Sequence, residues 1–326
     1  MEKSIIIFIV VFLGITLSLD EVEWKNFKNT HFKRYNDIED KLRFKVFQDS
    51  LRVIEAHNDK YNKGEVSYFL KTTQYADWTN EEFRSLLNSN LNTKLYTKNI
   101  SRGFNSKSKA KIPPSVDWRN EKAVTEVKDE GTCGCGWAFS AVGTIEGQLV
   151  LKRNLSATSL SVQELIDCSA FNFGCTKGSN RFALMYAREH GISSDEQYPY
   201  EAKDDICKNI TEKAVKPIAQ YGTVEESENS LAEAVALIGP IASVVNADEN
   251  LGWKLYGGGI FDNGECTDWG VNHGILTVGY GTEDKDFWIL KNSWGTSWGE
   301  NGYMRLVRGK NQCGIYLDNS FAILDS

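Results

Sequence analysis

Cys135, His273 and Asn292 are the residue types that nucleophilic thiol chemistry needs. A thiol attacks well when a helix start or an imidazolium lowers its pKa, a base holds its proton, and a third group orients that base. Three segments are composed for this. Glu130-Gly-Thr-Cys-Gly-Cys-Gly-Trp-Ala-Phe-Ser140 is a glycine-rich turn running into an apolar helix. Val271-Asn-His-Gly-Ile-Leu-Thr-Val-Gly-Tyr-Gly281 sets His273 just before an apolar strand. Trp288-Ile-Leu-Lys-Asn-Ser-Trp-Gly-Thr-Ser-Trp-Gly299 carries Asn292 and Trp294.

The elements that must position these residues are legible in outline. Residues 20 to about 95 are charged and helical in pattern, and within Glu39–Ile54 the apolar side chains Leu42, Val46, Phe47, Leu51 and Ile54 mark one helix face. Asp77–Phe83 reads as a helix start capped by Thr79 or Asn80. Residues 97–111 (TKNISRGFNSKSKAK) are polar, basic and aperiodic, a linker open to proteolytic nicking. Ala138 to about Lys152 reads as a buried helix stopped at Arg153-Asn154. Beyond about residue 215 come short strands, among them Ile241–Val245, Ile275–Gly279, Phe287–Lys291 and Tyr303–Val307. Helices followed by strands predict an α+β fold.

Composition sets the compartment. The 326 residues are 41% hydrophobic with net charge −7, a globular balance without the basic stripe that nucleic acid requires. Lys3, an apolar run from Ile5 to about Ile15, and the small residues Thr16 and Ser18 read as a secretory signal peptide. That run is short for a membrane anchor, and no other stretch is apolar enough to span a bilayer. All seven cysteines follow residue 130, so in an oxidising compartment six can pair and one is left over. Asn99, Asn154 and Asn209 head glycosylation sequons.

The three segments resemble those of papain-family cysteine proteases of the cathepsin L type. That family reads Q-G-x-C-G-S-C-W-A-F-S, N/D-H-A-V-x-x-V-G-Y-G and K-N-S-W-G-x-x-W-G, and the last pattern is complete here. The family's propeptide helix, E-x3-R-x3-F-x2-N-x3-I-x3-N, appears as Glu39, Arg43, Phe47, Ser50, Ile54 and Asn58, with Ser50 the departure. Pro113-Pro-Ser-Val-Asp-Trp-Arg119 resembles the start of the mature domain. The resemblance implies a papain-like two-domain fold: a helical left domain, a β-rich right domain, a cleft between them, and an N-terminal helical inhibitory prosegment over the cleft. The division expected is a signal peptide over 1–18, a propeptide over 19–111 and a peptidase domain over 112–326. Implied disulfides are Cys133–Cys175, Cys168–Cys207 and Cys266–Cys313, leaving Cys135 as the free thiol. Implied partners are the chain's own propeptide, peptide or protein substrates or ligands, and cystatin-type inhibitors. A monomer in the secretory pathway, secreted or lysosomal, without cofactor or metal, completes the expectation.

The departures from that family gather at the site. Aligned on Cys133 and Trp137, the nucleophile position is Gly136, which has no side chain to attack with. Cys135 lies one residue earlier, about 100° and 1.5 Å away along a helix, so its thiol is expected to point off His273. A misplacement of about 1 Å already costs roughly 10²-fold in rate. Glu130 stands where the family has its oxyanion-hole glutamine, and an ionised carboxylate there would repel the developing charge. Cys175-Thr-Lys-Gly178 replaces the substrate-binding C-N-G-G, inserting Lys177 and keeping Gly178. Ser179, Asn180 and Asp318 take the positions lining the second specificity pocket, where Asp318 is expected to select Arg or Lys. Asn272 and Trp294 complete the implied substrate contacts. Three readings follow: a pseudoprotease that has lost its nucleophile; an active endopeptidase using Cys135 with His273 and Asn292, or a cysteine encoded at 136; or a non-catalytic peptide-binding or storage protein.

Overall fold

The computed structural model describes residues 19–87, 102–104, 111–215, 218–248 and 252–324. The expected signal peptide over 1–18, the Asn99 sequon and most of the expected 97–111 linker lie outside the described residues.

The N-terminal unit is built on three helices. Residues 19–30 form α1, Asp37–Asn62 α2 and Asn80–Arg84 α3, with strand β1 (Tyr68–Leu70) between α2 and α3. Asn36 starts α2: its side chain accepts from Ile38 N at 3.1 Å and Glu39 N at 3.0 Å. Asp37, Glu39 and Asp40 then fill the first turn, where carboxylates complement the free N–H groups. The buried face of α2 is largely the one its periodicity marks, with Phe47 in the core and Leu51 and Ile54 packed against it, but Leu42 turns outward. Leu42 is 64% exposed, whereas Phe47 and Ser50 are buried. Phe47 packs on Trp24 and Phe27 of α1, ring centroids 5.3 and 4.7 Å apart and tilted, so α1 covers this face. Ser50, the departure from the propeptide pattern, donates its hydroxyl to Ala76 O at 2.7 Å. Thr79 caps α3 in a capping box with Glu82.

The helical lobe contains α4 (Gly136–Arg153), α5 (Val162–Cys168) and α6 (Asn180–His190). α4 is buried along nearly its whole length and ends at Asn154, whose left-handed φ of 51° terminates the helix. Cys133–Cys175 and Cys168–Cys207 cross-link this lobe, and Cys266–Cys313 the other.

The second lobe is a sheet flanked by α7 (Glu228–Leu237). Its strands are β2 (Arg102–Phe104), β3 (Val116–Asp117), β4 (Gln220–Val224), β5 (Ile241–Val245), β6 (Tyr256–Phe261), β7 (His273–Thr282), β8 (Asp286–Lys291), β9 (Tyr303–Val307) and β10 (Ser320–Ile323). The order is β1-β6-β9-β8-β7-β5-β10-β4-β2, with β3 on β7. Within the expected linker, Arg102–Phe104 is therefore strand, paired parallel to β4; its polar, aperiodic neighbours hide a three-residue extended piece. β1 of the N-terminal unit pairs antiparallel with β6, tying that unit to the sheet.

Candidate functional site

Gly136 opens α4 and His273 opens β7, and the two face each other where the lobes meet. A Cβ built on Gly136 would lie 2.8 Å from His273 Cε1 and 3.1 Å from Nδ1. It would also lie 2.5 Å from Gly274 O, and a Cβ on Gly274 would meet Gly136 C at 2.6 Å. The two glycines thus let helix and strand approach closer than side chains permit. Any side chain restored at 136 must push β7 back.

His273 Nε2 donates to Asn292 Oδ1 at 2.8 Å, and Ser293 N donates to the same oxygen at 2.8 Å. Trp294 covers the imidazole, ring centroids 4.6 Å apart. This fixes the ring with Nδ1 toward residue 136, and Nδ1 has no hydrogen-bond partner. His273 is fully buried, and burial lowers its pKa to about 4 against a smaller upward pull from Asn292. The imidazole beside Asn292 is thereby held toward its neutral form.

Cys135 is the free cysteine and is fully buried. Its Sγ lies 3.2 Å from the Tyr200 hydroxyl, which itself donates to Glu130 O at 2.8 Å. The thiol accordingly points into the helical lobe. Burial pushes its pKa well up, and the Glu130 carboxyl adds to the rise. The free thiol that the resemblance implies is thus present, but buried and held toward its protonated form. Glu130 is also buried: its carboxyl accepts from Trp294 Nε1 at 2.5 Å and Cys135 N at 2.9 Å. Burial raises its pKa well above the ordinary value. The expected repulsion by an ionised carboxylate gives way to an acid held toward its neutral form.

The N-terminal unit lies across this site. Tyr75 and Phe83 pack edge-on against Trp294 at 5.8 and 5.2 Å, and Gln74 donates to Trp294 O. Ser85 O and Leu86 O come within 3.1 and 3.3 Å of where a Gly134 Cβ would stand.

Comparison with known proteins joins the two parts. The pattern of the papain family cysteine protease matches residues 112–323, and that of the cathepsin propeptide inhibitor domain (I29) matches residues 24–83. The chain belongs to the papain family of cysteine proteases. It is 40% identical over 328 residues to a cathepsin L-like proteinase of Phaedon cochleariae, covering 99% of both chains. Identity to procathepsin L of Mus musculus is 38% over 312 residues, 93% of this chain and 92% of the relative. Digestive procathepsin L 3 of the Tenebrio molitor larval midgut superposes with a TM-score of 0.87 at 42% identity, over 94% of this chain and 99% of that one.

Set in the papain-family frame, the remaining site positions are not all open. Lys177 is exposed on a tight turn in which Phe173 N donates to Lys177 O at 2.7 Å. Gly178 lies flat on Trp137, whose ring would be 2.3 Å from a Cβ there. Ser179 caps α6 through Arg181 N, and Asn180 is buried as its first residue. Asn272 is half-buried and its Oδ1 accepts from Ala247 N at 2.9 Å. Asp318 meets Arg181 Nε at 2.6 Å, both side chains largely buried. The pocket acid is thus already paired within the chain, the kind of partner that the expected selection of Arg or Lys would have to supply. Asn154 and Asn209 are exposed. Sequence reasoning missed Tyr200, Gly274 and Arg181. Only Gly274 left a signal, as a small residue next to His273 inside a quoted motif.

Proposed function

We propose that this papain-family chain is a secretory-pathway pseudoprotease of cathepsin L type, retaining the scaffold, the His273–Asn292 pair and the prosegment while lacking the nucleophile. The observation that carries this is the Gly136–His273 contact. The position directed at His273 Nδ1 bears no side chain, and β7 lies close against it. Cys135, the one free thiol among the described residues, is turned to Tyr200 and held protonated by burial. A secretory route is supported by the N-terminal apolar run and the three disulfides. The division at residue 111 remains part of this reading, with the first 18 residues as leader.

The test uses recombinant chain freed of its prosegment by an added protease, a fluorogenic peptide substrate and an epoxide thiol inactivator. Negligible turnover and no labelling are expected. The triple variant Cys135→Ser, Gly136→Cys, Glu130→Gln is expected to gain labelling, because it supplies both the thiol and an amide donor for the oxyanion. Robust turnover by the unaltered chain that Cys135→Ala abolishes would sink the reading and make Cys135 the nucleophile.

A further inference from the structure

Beside the His273–Asn292 pair, α4 and the strands β7 and β8 leave between them a cavity of about 30 Å³. About 10–15 Å³ admits one water-sized body, so the space takes two of these or one occupant slightly larger. Asn292 and Ser293 line it and are only 3% and 4% exposed. Asn292 spends its Oδ1 on His273 Nε2 and Ser293 N. Its Nδ2 and the Ser293 hydroxyl have no partner among the described residues. Lys291, also on the lining, donates one N–H to Thr125 Oγ1 at 3.0 Å. An ammonium carries three, so two remain. The one acid on the lining, Glu146, is already engaged: Oε2 accepts from the Thr125 hydroxyl at 2.7 Å and Oε1 from Leu160 N at 2.9 Å. Lys128, the second cation there, is paired with Asp195 at 3.2 Å.

The side chains around this cavity therefore offer more donors than acceptors. A water placed among them accepts, but it must also find acceptors for its own two protons. A monatomic anion only accepts. It also sets a negative charge beside an ammonium whose pKa burial lowers, against a smaller upward pull from Glu146. We propose that the cavity is a binding site for one monatomic anion of chloride size, held by Lys291 Nζ, Asn292 Nδ2 and Ser293 Oγ. Sulfate and carboxylates exceed the space. The ion grips the Asn292 amide by Nδ2 while Oδ1 grips His273, so it braces the His273–Asn292 pair whether or not residue 136 bears a nucleophile.

The experiment uses the full chain, with gluconate exchanged for chloride at constant ionic strength. Tm is expected to rise saturably, by about 2–3 °C at ten times the half-saturating chloride concentration, and bromide should replace chloride. Ser293→Ala is expected to raise the half-saturating concentration about tenfold, and Lys291→Met to abolish the response. Disulfide mapping and near-UV circular dichroism establish that each variant is folded. Arg52→Ala, on the exposed face of α2, should respond as wild type does. Crystals of the full chain soaked in bromide should show an anomalous peak in contact with the three donors. Absence of a chloride response in wild type, an unchanged response in folded Ser293→Ala, or ordinary water in the cavity of the soaked crystals overturns the proposal. A bromide peak without a saturable Tm response means an adventitious ion only and overturns it too.

Discussion

At the scale of single residues, the site is defined by two buried groups that titrate against each other. His273 is held neutral with a pKa near 4, below its ordinary 6.5. Its stabilising contribution is complete above pH 6.5 and is lost as pH falls toward 4. Glu130 is raised above its ordinary 4.5, so its contribution is present below that value and is lost as pH rises. Above pH 4.5 and below pH 6.5 the two slopes oppose each other. Replacing Glu130 with Gln removes the falling slope and leaves the rising one. Thermal melts of Glu130→Gln are therefore expected to gain more between pH 5 and 7.5 than wild-type melts do. Superimposable Tm–pH curves would show that the Glu130 carboxyl is not held protonated.

At the scale of elements, what the sequence made legible was whatever local pattern dictates. α4 begins and ends within two residues of its expectation because Gly136 follows a glycine-rich turn and Asn154 tolerates a left-handed φ. The capped start of α3 was equally local. The buried face of α2 was legible but for Leu42, whereas the pairing of Asp318 with Arg181 and the strand in the linker were not. Each of these two depends on a partner distant in sequence: a residue 137 positions away for Asp318, β4 for the strand. α2 also supplies a test of how its propeptide-pattern residues work. Arg43 makes two 2.6 Å bonds to Glu82 of α3, a third at 3.2 Å to Asp77 O, and a cation–π contact with Tyr35 at 5.6 Å. Arg52 on the same helix makes one exposed bond to Asp49. Arg43→Ala is expected to cost about 1–2 kcal/mol, allowing for the solvent around Glu82, and Arg52→Ala less than about 0.5. Urea titration of the full chain measures both, and equal losses would mean that Arg43 is a surface charge rather than a brace.

At the scale of the whole molecule, the prosegment is woven into the peptidase domain rather than resting on it. Asn58 holds Leu70 through both its backbone groups at 2.9 Å, presenting β1 to β6. Thr73 donates to Lys254 O at 2.6 Å, Lys254 Nζ returns a bond to Trp78 O at 2.9 Å, and Lys71 Nζ reaches Gly299 O at 2.7 Å. One apolar core runs through both units, from Trp24, Phe27 and Phe47 through Tyr75 and Phe83 to Trp253, Trp294 and Trp298. Phe83 is its hinge point, fully buried and touching both Tyr75 and Trp294. Removing its ring leaves a cavity against Trp294, the residue that also covers His273 and bonds Glu130. Phe83→Ala should therefore cost about 3–5 kcal/mol of prosegment docking. Because the core is continuous, the loss should appear in the full chain as one lowered transition, not as a separate early melt of the helices. Calorimetry distinguishes the cases. A single wild-type transition that splits in Phe83→Ala, with the later component at the wild-type Tm, would mean that the two units are only apposed. A single transition shifted downward as a whole means that the prosegment is a structural part of the fold, a role it can keep whether or not Gly136 leaves anything to inhibit.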